Sequence, residues 1–171
     1  RRDPLTELFN RLGLRKAFDA LPREDRSRVA VHVFDLDGFK AVNDTFGHQV
    51  GDEVLKNISR IVMMQVRGGD PCIRYGGDEM LIILPGIAEG TAFTILSRLN
   101  QAISNHDWGR IASGLGMSAS FGVSTFQPGE TMKEWLNRAD QAVYAAKSSG
   151  RNTVVTHTML VKAKKGAPDK D

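Results

Sequence analysis

A turn signal lodged between two strand-like runs constrains this chain more than any other feature. Residues 72–84 read CIRYGGDEMLIIL. Adjacent glycines between Cys72–Tyr75 and Met80–Leu84 predict an antiparallel hairpin, because primed turns need positive φ and glycine has no Cβ to clash. Around it the apolar spacing alternates between helix and strand. Leu14, Ala17, Phe18 and Leu21 mark a helix that stops at Pro22, and VAVHVF at 29–34 reads as a buried strand ending at Asp35. Helices follow over 39–46 and about 50–66, and another is marked by Phe93, Leu96, Leu99 and Ile103. Met117, Ala119, Phe121 and Val123 alternate with period two, as in a strand. A long helix runs from Met132 through Ala146 to a stop at Gly150, and a short strand at 153–156 closes the order. A hairpin inside an otherwise alternating pattern predicts an α+β fold. Its mixed, largely antiparallel central sheet would be of ferredoxin-like or palm type, flanked by helices, and not doubly wound and parallel.

At 171 residues the chain fits one domain, expected over residues 1–157. The ending KAKKGAPDKD is charged and non-periodic, so 158–171 is expected to be a flexible tail. Net charge is +3, with no basic stripe, which argues against a nucleic-acid surface but leaves room for an anionic ligand. The single cysteine, Cys72, cannot form an internal disulfide and sits in an apolar setting that favours a small core residue over a nucleophile. No apolar run approaches the roughly 18 residues that span a bilayer, and no leader is visible. A reducing, cytoplasmic setting with no membrane contact by this domain is the expectation, although a longer parent could carry an anchor.

The chemistry gathers where strands end. Asp35 closes the 29–35 strand, and Asp78 and Glu79 follow the two glycines. Each alone is an ordinary solvated acid. If the strand neighbours the hairpin, all three converge on one sheet edge. Hard oxygen ligands without histidine or thiol suit Mg²⁺, which takes one or two carboxylates plus phosphate oxygens and water. Gly76 and Gly77 would let a triphosphate approach the backbone closely. Lys40 lies near a helix start, whose free N–H groups favour anions. Lys147 and Arg151 stand four apart at the end of the last helix, where cations also simply complement the helix dipole.

RYGGDEM resembles the signature of the GGDEF family, the diguanylate cyclase domains. The likeness extends to DPLTELFNR at 3–11, DLDGFKAVNDTFGHQVGD at 35–52, SFGV at 120–123 and ADQAVYAAKSSGRN at 139–152, in the family's order. The resemblance implies a palm-like sheet and the condensation of two GTP into cyclic di-GMP with release of pyrophosphate. It implies two Mg²⁺ or Mn²⁺ ions per site, held by Asp35, Asp78 and the carbonyl of Leu36, with Glu79 as the third acid. It places Asn43 and Asp52 on guanine, beside Phe39, and Lys40, Lys147 and Arg151 on the phosphates that Gly76 and Gly77 approach. Each domain would supply half of a catalytic unit, so activity needs an antiparallel homodimer. Met80 stands where the family carries an aromatic, and an adaptable apolar side chain there loses no ligand atom.

RGGD at 67–70 precedes the signature at the spacing of the family's product-inhibition site. Arg67 and Asp70 would bind cyclic di-GMP, with Arg98 as a second arginine. Because the chain begins almost on the opening motif, an upstream sensor is expected outside it. The competing reading is a catalytically silent relative that binds GTP or cyclic di-GMP. A polymerase palm is disfavoured, since the chain has neither fingers nor thumb.

Overall fold

The computed structural model describes residues 2–26 and 28–166. Its elements are α1 (Arg11–Asp19), α2 (Arg23–Arg26), β1 (Ala30–Leu36), α3 (Phe39–Phe46), α4 (His48–Gln65), β2 (Cys72–Arg74), β3 (Glu79–Leu84), α5 (Glu89–Asn105), β4 (Ala119–Thr125), α6 (Met132–Ser148), β5 (Val154–Thr156) and α7 (His157–Lys165). The strands form one sheet in the order β2-β3-β1-β4-β5. β1 is antiparallel to both β3 and β4, β2 pairs antiparallel with β3, and only β4 and β5 are parallel. This is the mixed α+β sheet that the hairpin predicted.

Strand alternation divides the core in two. Ala30, Phe34 and Leu36 pack with Val42 of α3, Val54 and Ile58 of α4, and Leu96 and Leu99 of α5. Val31 and Val33 face the other way, against Leu14 and Phe18 of α1 and Trp135, Ala139 and Val143 of α6. Met80 is buried in the first layer, so the signature's last residue does turn into the core as expected.

Helix α6 is seated more tightly than side-chain packing alone would allow. A Cβ built on Gly122 of β4 would lie 2.2 Å from the Ala139 carbonyl oxygen and 2.5 Å from the Val143 nitrogen. The helix backbone therefore rests on the strand. Trp135 locks the register: its indole N–H donates to the Ser124 carbonyl at 3.0 Å, and the Ser124 hydroxyl donates to the Trp135 carbonyl at 3.0 Å. Thr131 caps the start, accepting from the Glu134 N–H at 3.1 Å. These contacts fix where the far end of α6, with Lys147, falls.

Two sequence expectations need correction. Neither Gly76 nor Gly77 adopts positive φ. The ladder's last pair is Arg74 with Met80, so the connection is longer than a two-residue primed turn, and a wider loop turns without the left-handed region. The tail expected from 158 is helical through Lys165. Thr156 caps α7 by accepting from the Met159 N–H at 3.1 Å, and the Thr158 hydroxyl donates to Glu89 at 2.9 Å. α7 buries no residue fully, so it left no apolar stripe to read, while its last-turn lysines suit the helix dipole. Residues 167–171 of that expected tail lie outside the described residues. Among the described residues, no helix is long and apolar enough to cross a membrane.

Candidate active site at the sheet edge

Register brings the acids together. Asp35, next to last in β1, stands opposite Glu79 of β3 on one side and Ser120 of β4 on the other. The Leu36 N–H donates to the Asp78 carbonyl at 3.4 Å, tying the hairpin tip to the strand end. From α6, the Lys147 ammonium donates to Asp35 Oδ2. Asp35 Oδ1 is buried and accepts no hydrogen bond.

Charge is left unbalanced there. Burial first, and then the negative charge of Asp35, push the Asp78 carboxyl above its ordinary range. Glu79 is raised by burial, then by Asp35, Asp140 and Asp78 in turn, with Lys147 opposing. Asp140 of α6 is raised by burial and by Asp35. Four carboxylates thus act on one another beside a single lysine. Among the described residues no three acidic, histidine or cysteine side chains can enclose a metal by themselves. An orphaned oxygen amid repelling carboxylates fits a divalent ion that completes its shell from outside, as Mg²⁺ does with phosphate and water. Asp35, Asp78 and Leu36, the residues that the resemblance named for metal, lie together at this strand end and hairpin tip.

The phosphate candidates surround this edge. Gly38, left-handed at φ 70°, starts α3 without a side-chain cap, so the helix's first N–H groups and the exposed Lys40 are free for an anion. Arg151 itself is left-handed at φ 65°, followed by Asn152 at φ 47°. This costly backbone is held by Asp37, whose Oδ2 accepts from the Asn152 N–H at 3.1 Å. Asp37 also accepts from the hydroxyls of Ser118 at 2.6 Å and Ser120 at 2.7 Å, and lies 4.0 Å from the Arg151 guanidinium. A chain of contacts from β1 through β4 therefore aims Arg151.

The base candidates meet between α3 and α4. A Cβ at Gly51 would lie 1.8 Å from Asn43 Oδ1 and 3.4 Å from the Phe39 ring. Glycine alone lets Asn43 and Phe39 close on α4, next to the exposed Asp52. In the hairpin, the N–H groups of Tyr75 and Gly76 donate to the Glu79 carbonyl at 2.9 and 3.3 Å. The Arg74 guanidinium reaches the Gly77 carbonyl at 3.0 Å and grips Asp3 of the opening motif at 3.1 Å. A Cβ at Gly77 would meet nothing within 4 Å, so the tip offers bare backbone.

RGGD lies at the other end of β2. Arg67 and Asp70 face each other as a bidentate pair, both contacts 3.1 Å, and Arg67 also donates to the Pro85 carbonyl at 2.8 Å. Arg67 keeps 56% of its side chain exposed, while Asp70 keeps 7%. The groove beside them is lined by Arg2, Met63, Val66 and Cys72, and Arg98 of α5 does not line it. The Cys72 thiol is pushed up to about 12, by burial and then by Asp70, which suits the expected core role.

A family model described as the diguanylate cyclase GGDEF domain matches residues 1–153. The chain belongs to the GGDEF family. The response regulator PleD of Caulobacter vibrioides is 39% identical over 160 residues, covering 90% of this chain and 35% of that protein. The diguanylate cyclase DgcP of Pseudomonas aeruginosa is 35% identical over 153 residues, covering 88% of this chain and 23% of its own length. This chain thus spans about a third or less of these relatives. Among solved structures, the GGDEF domain of DgcB from Caulobacter crescentus in complex with c-di-GMP superposes with a TM-score of 0.81 at 30% identity, over 92% of this chain and 95% of that one. Diguanylate cyclase SiaD of Pseudomonas aeruginosa, in complex with its activator SiaC, matches at TM-score 0.81 and 37% identity, over 91% and 61%.

Two residues of this GGDEF domain's edge escaped the sequence reading. Asp37 carried no role in it, although it stands two residues beyond Asp35, just past the end of β1. Asp140 lies seven residues before Lys147, two helical turns along the same side of α6, and that period was the available signal.

Proposed function

We propose that this domain is a diguanylate cyclase that joins two GTP molecules into cyclic di-GMP. The observation that carries the reading is the orphaned Asp35 oxygen, set among Asp78, Glu79 and Asp140 with Lys147 as the sole ammonium partner among the described residues. Phosphates arriving with their metal would relieve that repulsion. Asn43 and Asp52 read guanine, since a carboxylate accepts from N1–H and N2–H₂ together, which adenine does not offer. Gly51 holds Asn43 in reach. Lys40, the free N–H groups of α3, Lys147 and Arg151 hold the terminal phosphates, and the bare Gly76–Gly77 backbone admits the α-phosphate. Glu79 accepts a hydrogen bond from the 3′-hydroxyl or braces the ions. Two bound Mg²⁺ or Mn²⁺ ions would lower the pKa of that hydroxyl and neutralise the departing pyrophosphate. Because one edge holds one GTP, two copies of the domain face each other in an antiparallel pair, and the rate depends on protein concentration.

Incubation with GTP and Mg²⁺, read by chromatography, tests this. Cyclic di-GMP and pyrophosphate are expected, with a rate rising more steeply than protein concentration. A folded, GTP-binding protein that yields no product favours the silent relative.

The same proposal includes feedback. Cyclic di-GMP bound at Arg67 and Asp70 would sit about 20 Å along extended chain from Gly76, clear of the GTP site. There it would keep two loaded edges apart. Arg67 must then exchange its Asp70 partner for the ligand, while the Pro85 carbonyl still accepts from Nη2 of the same guanidinium. Calorimetry should show cyclic di-GMP binding to wild type and at least about tenfold weaker binding to Arg67→Ala. Equal binding by both, or none by wild type, removes the feedback while leaving the cyclase reading intact.

A further inference from the structure

A groove on the opposite face from the guanine residues has the makings of a second ligand site. It runs between α1 and α6, encloses about 620 Å³ and ends at Tyr75 of the signature hairpin. That volume falls in the range of small-molecule pockets, roughly 300–1,000 Å³. Its apolar floor is Leu14, Met132 and Leu136. Above the floor stand three cations. Arg11 donates to the Tyr75 hydroxyl at 3.0 Å, its guanidinium 4.4 Å over the ring, and has no carboxylate partner among the described residues. Arg15 and Lys133 make no hydrogen bond or ion pair with any described residue.

Guanidinium groups left without an anion beside an apolar floor are complementary to an organic acid. Glu134 and Asp140 also line the rim, so three basic side chains meet two acidic ones. That balance selects a single negative group and disfavours a polyphosphate. We propose that the α1–α6 groove binds a small organic acid, with a compact apolar body on Leu14, Met132 and Leu136 and its carboxylate or sulfonate between Arg15 and Lys133. The ligand would lie against Tyr75, so the groove borders the hairpin and shares only Asp140 with the acid cluster at the sheet edge. The inference does not depend on the cyclase reading.

Naphthalene-1-sulfonate, titrated into nitrogen-15-labelled protein, is the probe. Backbone amide shifts at Leu14, Tyr75 and Asn137 are expected to saturate together with one dissociation constant. The double variant Arg15→Glu, Lys133→Glu should bind roughly tenfold more weakly or worse while keeping its amide dispersion. The neutral analogue naphthalene-1-methanol should also bind more weakly to wild type. Should the double reversal not fold, the Arg15→Gln, Lys133→Gln pair makes the same comparison. Shifts scattered over the surface or gathered at the exposed Met63 and Met64, or equal binding by the folded variant, would overturn the site.

Discussion

Asp35 and His32 lie three residues apart on β1, and both bury polar atoms that find no hydrogen-bond partner. Their surroundings settle the cost in opposite ways. Asp35 is at the strand's end, with 16% of its side chain exposed, a lysine on one oxygen and three further carboxylates within electrostatic reach. His32 is wholly buried between Ile82 of β3 and Val123 of β4, with both ring nitrogens unpaired. Burial alone lowers its pKa to about 3, so the ring stays neutral. An orphaned oxygen amid like charges calls for a cation. An orphaned imidazole between aliphatic strands is a defect in stability, with nothing around it to react.

The largest expected effect tests the first half of that contrast. Asp35→Asn should cut cyclic di-GMP formation by at least about a thousandfold, some 4 kcal/mol of transition-state stabilisation. Circular dichroism should show the fold retained, since the substituted atom sits at an edge. Near-normal turnover in the folded variant would reduce Asp35 to the same kind of defect as His32.

Next in size is Gly122→Ala, which asks whether the edge depends on the seat of α6. Its Cβ would collide with helix backbone, not with a flexible side chain, so a loss of about 3 kcal/mol in urea unfolding is expected. Lys147 should then lose its fixed reach to Asp35. A loss under about 0.5 kcal/mol would show that the seat is looser than the geometry implies.

His32→Leu tests the second half. Unfolded, His32 takes a proton below about 6.5, whereas the folded chain resists it until about 3. Its folded pKa is depressed, so stability is full above 6.5 and falls with pH below it, by about 1.4 kcal/mol per unit. Leucine removes both the titration and the two unpaired nitrogens. Relative to wild type the variant should gain about 2 kcal/mol between pH 6.5 and 5, with cyclase activity at neutral pH unchanged. Parallel stability curves would mean that the ring finds a partner.

The smallest effect compares charges directly. The carboxyls of Asp78, Glu79 and Asp140 are raised, so their contribution runs opposite to that of His32: stability is lost as pH rises from about 4 through their folded values. Removing the Asp35 charge should lower all three. Carboxyl-carbon resonances of Asp35→Asn report this, and unmoved titrations would mean that burial alone raises them.

Much of this molecule was legible in the chain as written. Apolar period separated helices from strands, because one buried face per element leaves a local trace. The hairpin, the Asp35–Glu79 convergence and the inward turn of Met80 followed from that trace and a rule of adjacency. α7 was not legible, since it fully buries no residue and draws on a cap and a dipole. The two hairpin glycines were read for positive φ, which neither adopts, a difference that only loop length decides. Asp37 and Asp140 could be listed, but not assigned, until β4 and α6 closed around them. The Arg67–Asp70 pairing with Pro85 joins residues 18 apart through space. His32 read as one more alternating strand position. Composition and period act between near neighbours along the chain and are therefore written in it. Burial of a charge or a ring is a sum over neighbours from every element, and that sum exists only once the sheet and its helices have met.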